Sequence, residues 1–388
     1  MTNRPIIGMG AVAATGSGVG ELFDALCRGS SGRAPLRGFD RGNFRAQHAY
    51  EVDDRPVAGQ DIPGRATRLL LDAVGQAAAD AGLGEDLSGI PVLVGTGLRE
   101  LRSLELWWRD GSPFADSGLH FGTGLRERFN ADVTHTFSNA CSASLYALAL
   151  ASDLLDQPGA GALGGAAPDT VIVAGVDVLT ESMYGLLERV HPQPPDRVRP
   201  FDRNRTGVLM GDGAAAIVLR RTDEGAPRVY GRLRGVAVNC DAYHVTAPSP
   251  EGIAEAMRAA HRLAGVKPSD IDLVMLHGTG TLLNDEAEAA ALRDVLGEDA
   301  SVPLMTAVKS MTGHTSGASG LLNLIVGVRA LSEGRVPPTV GLDDPVDEAA
   351  PFRFVTGEAA SGRELGVAQL NAFGFGGINA VAIVEGPR

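Results

Sequence analysis

Gly213-Ala-Ala-Ala-Ile-Val-Leu219 recurs in altered form near the end of the chain, as Asn379-Ala-Val-Ala-Ile-Val-Glu385. The two segments match at four of seven positions, and each is predicted to be a buried strand that closes its half of the chain. Each is also preceded by a helical stretch rich in small residues. Chance similarity between Ala-rich segments is the alternative explanation. If the recurrence reflects duplication, two similar units pack as two sheets that share central helices.

Short apolar runs alternate with helical patterns along the rest of the chain. Strands are predicted at residues 5–10, 91–95, 171–175, 214–219, 271–276, 367–370 and 380–384, and helices at residues 68–81, 144–155, 253–264, 286–296 and 317–331. This alternation predicts an α/β fold with a largely parallel, buried sheet. The polar stretch 220–228 predicts a boundary between a first half, residues 1–220, and a second half, residues 229–388. A further exposed loop is predicted at residues 159–169.

The composition limits the class of protein. The chain has 388 residues, of which 44% are apolar, so it can bury a large core or two similar halves. No run of roughly 18 residues is apolar throughout, and the first residues lack the pattern of a secretory signal, so neither a membrane span nor export is expected. Three cysteines favour a reducing compartment and a cytoplasmic protein. A net charge of −13 argues against nucleic acid as a partner.

Cys141 is the candidate nucleophile. It lies in Phe137-Ser-Asn-Ala-Cys-Ser-Ala-Ser144, which leads directly into a predicted helix. Near the positive end of the helix dipole the thiolate is favoured, so the pKa of Cys141 is expected to fall. Its small neighbours leave room for a substrate carbonyl and leave backbone N–H groups free to bind an oxyanion. A buried structural cysteine is the alternative. Cys27 is predicted to be core, and Cys240 a loop residue without a catalytic role.

Two histidines lie at similar junctions. His277 follows the predicted strand 271–276, and His314 precedes the predicted helix 317–331. Open α/β sheets bind ligands at the carboxyl ends of their strands, so both histidines and Cys141 are candidates for one site. A zinc site is the rival explanation. Zinc ligands usually include a closely spaced pair, which these three residues do not provide, so no metal is expected.

Seven motifs, in order along the chain, resemble those of the β-ketoacyl-acyl-carrier-protein synthases, especially the type II elongating enzymes. They are Ile6-Ile-Gly-Met-Gly10, Arg199-Pro-Phe-Asp202, Gly211-Asp-Gly-Ala214, Asp241-Ala-Tyr-His244, His277-Gly-Thr-Gly-Thr281, Val308-Lys-Ser-Met-Thr-Gly-His314 and Asn371-Ala-Phe-Gly-Phe-Gly-Gly377. The resemblance implies a thiolase-like α/β fold with duplicated αβαβα layering. It also implies a ketosynthase that condenses an acyl group with a malonyl thioester, with decarboxylation, in fatty-acid-like or polyketide biosynthesis. No metal or nucleotide cofactor is implied.

The resemblance also implies roles for individual residues. Cys141 would carry the acyl group, and His277 and His314 would polarise the malonyl carbonyl so that carbon dioxide can leave. Lys309 would organise the histidine site electrostatically. Further implied roles are an oxyanion hole made of the backbone N–H groups of Cys141 and Phe375, a gate at Phe375, and phosphopantetheine binding at Thr279 and Thr281.

Two departures from the family pattern leave other functions open. Asn323 stands where the family usually has a glutamate that pairs with the lysine network. A neutral amide cannot supply that charge, so a non-elongating acyltransferase or thioester-processing enzyme is the alternative. A non-catalytic partner subunit is the second alternative, although such subunits typically lose the cysteine. The divergent segment 101–136, which contains Trp107, Trp108, Phe114 and Phe121, is expected to shape the acyl pocket and dimer surface.

The resemblance finally implies the partners. The acyl donor would be an acyl carrier protein with its phosphopantetheine thioester, or an acyl-coenzyme A. Arg65, Arg68 and Arg189 are predicted to contact the carrier, and docking through them would weaken with salt. The chain is expected to form a homodimer, or a heterodimer with a chain-length factor.

Overall fold

A computed structural model describes residues 3–57, 59–157 and 167–387, and the predicted loop at 159–169 lies almost entirely outside them. The strands are β1 (Arg4–Ala13), β2 (Gly16–Ser17), β3 (Ala34–Pro35), β4 (His48–Ala49), β5 (Val92–Gly95), β6 (Thr134–Phe137), β7 (Thr170–Asp177), β8 (Gly213–Arg220), β9 (Gly231–Cys240), β10 (Leu273–Met275), β11 (Leu304–Thr306), β12 (Arg353–Phe354), β13 (Val367–Gly374) and β14 (Ile378–Glu385).

The helices are α1 (Val19–Cys27), α2 (Arg65–Asp80), α3 (Leu101–Asp110), α4 (Gly122–Phe129), α5 (Ala143–Asp156), α6 (Glu181–Val190), α7 (Pro250–Ala264), α8 (Leu282–Leu296), α9 (Lys309–Thr312) and α10 (Ser319–Glu333). All seven predicted strands and all five predicted helices are confirmed, with ends that move by a few residues. The sequence prediction missed β9. Only one face of this strand is buried, so fewer of its residues are apolar than in strands covered on both faces.

Twelve strands form one sheet in the order β12-β11-β10-β13-β14-β9-β1-β8-β7-β5-β6, with β2 paired beside β1. The strands before residue 221 lie on one side of the β1–β9 junction, and those after residue 230 lie on the other. Only three residue pairs join β1 to β9, between Arg4–Ile6 and Gly231–Leu233. The division into domains 1–220 and 229–388 stays a prediction.

The sheet is mixed, and the prediction of a largely parallel sheet was wrong. β5, β6 and β7 are parallel, as are β10, β11, β12 and β13, but β8 runs antiparallel to β1 and β7. β14 likewise runs antiparallel to β9 and β13. These two antiparallel strands, β8 and β14, contain the two recurring segments, residues 213–219 and 379–385. Sequence hydrophobicity could not show this, because a strand covered on both faces is apolar throughout in either direction.

Helices cover both faces of the sheet in layers. Along β8, Ala215, Ile217 and Leu219 belong to the cluster around α1, α5 and α10, while alternate residues face α2 and α4. The α7 and α8 helices cover the outer face of the second part of the sheet. The helix order is therefore α2 and α4 outside, α1, α5 and α10 in the centre, and α7 and α8 outside, which is the αβαβα layering that the resemblance implies. No helix among the described residues is long and apolar enough to cross a membrane.

Candidate active site

A cavity of about 420 Å³ opens between the two parts of the sheet and brings together the three residues singled out from the sequence. Cys141, His277 and His314 all line it. The α6 helix and the segment after it supply an apolar wall, and the start of α8 supplies Thr279, Thr281 and Asn284 nearby. Three residues that are distant in sequence therefore meet in one accessible space.

The turn that presents Cys141 is tight and strained. After β6 ends at Phe137, Ala140 adopts a φ of +48° and begins a single 3₁₀ turn that leads into α5. A left-handed alanine is unfavourable, so the surrounding packing must hold it. Gly95 allows the close packing that this needs, because a Cβ there would lie 2.3 Å from the backbone N of Ser144. Gly374 covers the other side, where a Cβ would lie 3.3 Å from the backbone N of Cys141.

Cys141 contacts His314 directly. The distance from Cys141 Sγ to His314 Nε2 is 2.9 Å. Burial raises the pKa of the Cys141 thiol to about 12, although the charge of Lys309 acts against this rise. The expectation of a lowered pKa was therefore wrong, because the loss of hydration on burial is the largest influence on this thiol. Burial, followed by the charge of Lys309, also holds the pKa of His314 well below its usual value. A neutral thiol and a neutral imidazole face each other.

The second nitrogen of His314 contacts a hydroxyl that suits either imidazole tautomer. His314 Nδ1 lies 3.1 Å from Ser319 Oγ, which lies 3.1 Å from Thr315 Oγ1. A hydroxyl can donate or accept, so Ser319 supports His314 with the proton on Nδ1 or on Nε2. His314 can therefore accept a proton from the thiol or donate a hydrogen bond into the cavity. Ser319 was missed from the sequence because it is one of many small residues after His314.

His277 lies beside His314, with its ring centroid 5.5 Å away and the rings nearly perpendicular. Lys309 Nζ donates to the carbonyl oxygen of His277 at 2.6 Å and lies 3.4 Å from its Nδ1. Burial, followed by the charges of Lys309 and His314, lowers the pKa of His277 well below its usual value. Burial lowers the pKa of Lys309 to about 8, against the attraction of Glu288. Burial, followed by the charge of Lys309, thus keeps both imidazoles neutral, and neutral imidazoles can donate hydrogen bonds.

Glu288 is a site residue that sequence reasoning missed. Its carboxylate accepts hydrogen bonds from the backbone N–H of His277 at 2.8 Å, of Gly278 at 2.9 Å, and from Asn371 at 2.9 Å. Burial raises the pKa of Glu288. The available signal was a pair of carboxylates three residues apart, Asp285 and Glu288, on an Ala-rich helix, where buried acids need a reason to be present.

Asn323 supports the same loop from the opposite side. Its Nδ2 donates to the carbonyl oxygen of Leu276 at 3.1 Å. The amide therefore holds the residue before His277 and does not supply a charge to Lys309. The nearest negative influence on Lys309 comes from Glu288, on another helix.

Asp177 is a second missed residue and ties the two parts of the chain together. Its buried carboxylate accepts from the backbone N–H of Gly97 and of Gly317, each at 2.7 Å, and from Leu98 N–H and Thr96 Oγ1 at 2.8 Å. Gly97 lines the cavity and Gly317 belongs to the turn after His314. Asp177 thereby fixes one wall against the segment that carries the histidine.

The other predicted substrate contacts also line the cavity. Thr279 Oγ1 and Thr281 Oγ1 are 2.9 Å apart, and Thr281 also caps α8 by accepting from Asn284 N–H. Phe375 is 45% exposed on the turn between β13 and β14 and lines the same cavity. Gly376 and Gly377 follow it with φ of +87° and +75°, a conformation that glycine adopts without strain.

The three arginines that were predicted to contact the carrier differ in their exposure. Arg65 is buried and forms ion pairs of 2.7 Å with both Asp54 and Asp212, so its prediction as a surface contact was wrong. An arginine at the start of a helix looks exposed in sequence, and only its acidic partners reveal otherwise. Arg68 is partly exposed and close to Asp54. Arg189 is exposed, next to Val190 at the mouth of the cavity.

The segment 101–136 does not reach this cavity within one chain. No residue from it is among the described residues that line the cavity. Phe121 is buried, whereas Trp107 and Trp108 are 46% and 83% exposed.

Cys27 is half-buried in α1, and Cys240 ends β9 where a loop residue was predicted. Among the described residues, no three His, Cys, Asp or Glu side chains cluster as metal ligands would.

Known proteins of one family match this chain over nearly its whole length. The family described as Beta-ketoacyl synthase, N-terminal domain, matches residues 5–225, and Beta-ketoacyl synthase, C-terminal domain, matches residues 230–343. The chain is 32% identical to the 3-oxoacyl-[acyl-carrier-protein] synthase 2 of Vibrio cholerae, over 99% of this chain and 100% of that one. It is also 32% identical to a Streptomyces cyaneus protein named as a polyketide beta-ketoacyl synthase 1, over 100% and 99%.

Among solved structures, the chain is similar to the ishigamide ketosynthase/chain length factor. The TM-score is 0.87, the sequence identity is 30%, and the alignment covers 100% of both chains. This solved structure and the order of the layers in the present chain both confirm the predicted thiolase-like fold.

Proposed function

The chain belongs to the β-ketoacyl synthase family, and from that premise we propose that Cys141 accepts an acyl group which His277 and His314 help to condense with a malonyl thioester. As a member of this family it is a ketosynthase-type condensing enzyme of fatty-acid or polyketide synthesis. The observation that carries the assignment of roles is the 2.9 Å contact between the Cys141 thiol and a neutral His314, inside a cavity large enough for an acyl thioester.

In the first step the acyl group moves to Cys141. His314 Nε2 takes the thiol proton as Sγ attacks the thioester carbonyl, because a thiol with a pKa of about 12 is not ionised on its own at neutral pH. The carbon–sulfur bond to Cys141 forms, and the bond to the carrier thiol breaks. The proton on His314 then passes to the departing carrier thiolate. The imidazole is neutral again when the step ends.

In the second step a malonyl thioester occupies the same cavity. Before this step His314 exchanges protons with solvent so that Nε2 carries the proton, and Ser319 supports that tautomer. His277 and His314 then donate hydrogen bonds to the thioester oxygen of the malonyl group. The bond to the carboxylate breaks, carbon dioxide leaves, and the electron pair passes into an enolate. The enolate carbon attacks the acyl carbonyl on Cys141, the bond from that carbonyl to Sγ breaks, and the departing Cys141 thiolate takes up one proton from solvent, which restores the resting thiol. Lys309 favours these steps by its positive charge.

A second candidate is a non-elongating acyltransferase, and Asn323 is the observation that favours it. The amide takes the place of a carboxylate near the lysine network. Glu288 weighs against this candidate, because it places a buried carboxylate where its charge acts on Lys309. We therefore prefer decarboxylative condensation.

Mass spectrometry separates the two candidates. The protein is incubated with an acyl-carrier thioester and then with malonyl carrier, while the mass of Cys141 peptides and the release of carbon dioxide are followed. Acylation with carbon dioxide release supports condensation, whereas acylation without it supports the second candidate. Cys141→Ala is the control for labelling elsewhere. Labelling of neither the wild type nor the variant would contradict both candidates and favour a non-catalytic partner subunit.

The acyl donor is an acyl carrier protein, and Arg189 is proposed as one of its contacts. Arg189 is exposed beside the mouth of the cavity, whereas Arg128, also exposed, pairs with Glu85 elsewhere. Arg189→Glu is expected to slow acylation by an acyl carrier protein, most strongly at low salt, but not acylation by a small thioester. Arg128→Glu is the matched control. Equal slowing with both donors would contradict a docking role.

Assembly with a second chain is proposed through β6. This strand lies at the end of the sheet and directly precedes the turn that carries Cys141. A homodimer or a heterodimer with a chain-length factor would extend the sheet there. We also place the protein in the cytoplasm, where its three free cysteines would stay reduced.

A further inference from the structure

His191 is a buried polar residue on a largely apolar wall of the cavity. It is 9% exposed and lies just after α6. Met183, Leu187, Val208 and Met210 line the cavity around it. The hydroxyls and amides that would hold a phosphopantetheine arm, at Thr279, Thr281 and Asn284, belong to a different element. His191 therefore adds a polar group to a wall of the cavity that is separate from those residues.

The hydrogen bonds of His191 determine where its proton lies. The backbone N–H of Val208 donates to Nε2 at 3.3 Å, so Nε2 must be the unprotonated nitrogen. Burial, followed by the charge of Arg45, lowers the pKa of His191, which keeps the ring neutral. A neutral imidazole with an unprotonated Nε2 carries its proton on Nδ1. Among the described residues, no group accepts a hydrogen bond from Nδ1.

The ring cannot easily turn to another position. Gly207 packs flat against it with a φ of +142°, and a Cβ there would lie 2.7 Å from three ring atoms. The arrangement needs glycine at residue 207, because any side chain would displace the imidazole. The ring is thus held between Gly207 and the backbone N–H of Val208.

The segment that holds His191 also holds His314. The backbone N–H of His314 donates to the carbonyl of Leu209 at 2.9 Å, and Gly211 N–H donates to the carbonyl of His314 at 3.0 Å. Val208 and Leu209 are consecutive, so one short segment positions the imidazole beside Cys141 and the imidazole in the apolar wall.

We propose that His191 Nδ1–H is a specificity-determining donor that binds a carbonyl or hydroxyl oxygen on the acyl chain carried by Cys141. This inference rests on the proposed function. It names the substrate class as acyl thioesters that keep oxygen near the thioester, in contrast to fully saturated chains. A saturated chain that displaces solvent from Nδ1 leaves this donor without a partner, which disfavours that chain relative to one that can accept the hydrogen bond.

Two substitutions separate this role from a structural one. Gln at residue 191 keeps an acceptor near the position of Nε2 and loses the donor at Nδ1. Asn keeps a donor near the position of Nδ1 and loses the acceptor for Val208. If His191 is only structural, His191→Gln should resemble the wild type and His191→Asn should be the damaged variant.

The test measures Cys141 acylation by N-acetylcysteamine thioesters, in pairs of equal length that differ by one hydroxyl at the third or fifth carbon. We expect the wild type and His191→Asn to prefer the hydroxylated chain, and His191→Gln to lose about fivefold of that preference, the effect of one hydrogen bond. The rate with the saturated chain should not fall in His191→Gln, because the substitution removes the unpaired donor that disfavours that chain; a fall with both chains would mean that the acylation machinery is damaged and would contradict the inference.

Two further results would overturn the inference. One is a preference that is the same in the wild type and in His191→Gln. The other is weaker use of all pantetheine thioesters by His191→Gln without a change for N-acetylcysteamine thioesters, which would assign the donor to the phosphopantetheine arm. Failure of the wild type to be acylated by any thioester would instead contradict the proposed function.

Discussion

Cys141 and His314 are separated by 2.9 Å, and both are neutral in the resting site. Many reactive cysteines have a lowered pKa and attack as preformed thiolates. Here the loss of hydration raises the pKa of the thiol, so in the proposed mechanism the thiolate forms only as the proton moves to the imidazole. The reactivity of Cys141 therefore depends on one neighbouring residue, and pH dependence can reveal it.

Cys141 acylation in the wild type is expected to vary little between pH 6.5 and 9, because His314 stays neutral there, and to fall in more acidic solution as His314 gains a proton. In His314→Ala the thiolate must form by titration towards a pKa of about 12. Acylation should then fall by about 10²-fold or more at pH 7 and rise about tenfold per pH unit. Stopped-flow acylation across pH tests this, and a flat profile for His314→Ala would contradict the role of base.

Lys309 and Glu288 form the second residue pair that pH can test. With a Lys309 pKa of about 8, condensation is expected to fall as pH rises through that value, because the lysine loses its charge. Glu288→Gln removes the opposing carboxylate, which lowers the pKa of Lys309 further. The alkaline fall should therefore move to lower pH, by roughly one unit.

Carbon dioxide release across pH measures this shift. Glu286→Gln is the matched control, since it changes the same helix two residues away on an exposed side chain that pairs with Arg205. If Glu288→Gln lowers the rate equally at every pH, Glu288 is not the carboxylate that raises the pKa of Lys309.

The turn between β13 and β14 is the element that covers Cys141. Gly376 has a φ of +87° and space for a Cβ, with Ile378 Cγ1 the nearest atom at 3.7 Å. Gly376→Ala would therefore stiffen the turn at a cost of about 1 kcal/mol in backbone strain, without a clash. The resemblance implies that Phe375 acts as a gate. With that role, Phe375 would move with this turn to admit an acyl chain, and we expect Gly376→Ala to slow acylation severalfold.

Gly225→Ala is the matched control for that prediction. Gly225 has a φ of +68° in a surface loop, with no atom within 4 Å of a new Cβ, so it adds similar strain far from the site. Thermal unfolding should respond alike in the two variants, while pre-steady-state acylation should change only in Gly376→Ala. Equal acylation rates in both variants would show that the turn does not gate the cavity.

Among the described residues of the single chain, the sheet ends at β6 and one edge of this strand has no neighbouring strand. Val92 N–H donates to the carbonyl of Val133 and Thr96 N–H to that of Phe137, so these residues face β5. Backbone groups alternate along a strand, and those of Thr134 and Thr136 therefore face the free edge. An exposed edge of this kind pairs readily with another chain.

Thr136→Pro removes an N–H from that edge without removing a bond to β5. We expect the wild type to sediment as a two-chain assembly and Thr136→Pro to shift towards one chain, with loss of activity. Analytical ultracentrifugation measures the shift. His135→Ala is the control, because it removes an exposed side chain and keeps every backbone group. An unchanged assembly in Thr136→Pro would place the interface elsewhere.

The sequence alone determined the layered α/β fold and three of the central site residues. Buried strands and helices leave periodic apolar patterns, and Cys141, His277 and His314 lie at junctions where polar residues beside glycines need a chemical reason. Lys309, Thr279, Thr281 and Phe375 followed from motif resemblance. These signals are local in the chain, so no coordinates were needed to find them.

The protonation states and the partners of those residues depend on the three-dimensional fold. The direction of β8 and β14, the raised pKa of Cys141, the ion pairs that bury Arg65, and the contacts of Glu288 and His191 all join segments far apart in sequence. Burial and electrostatic interaction depend on distance in space and on hydration. A linear pattern records neither, which is why a helix-dipole argument gave the wrong sign for the pKa of Cys141.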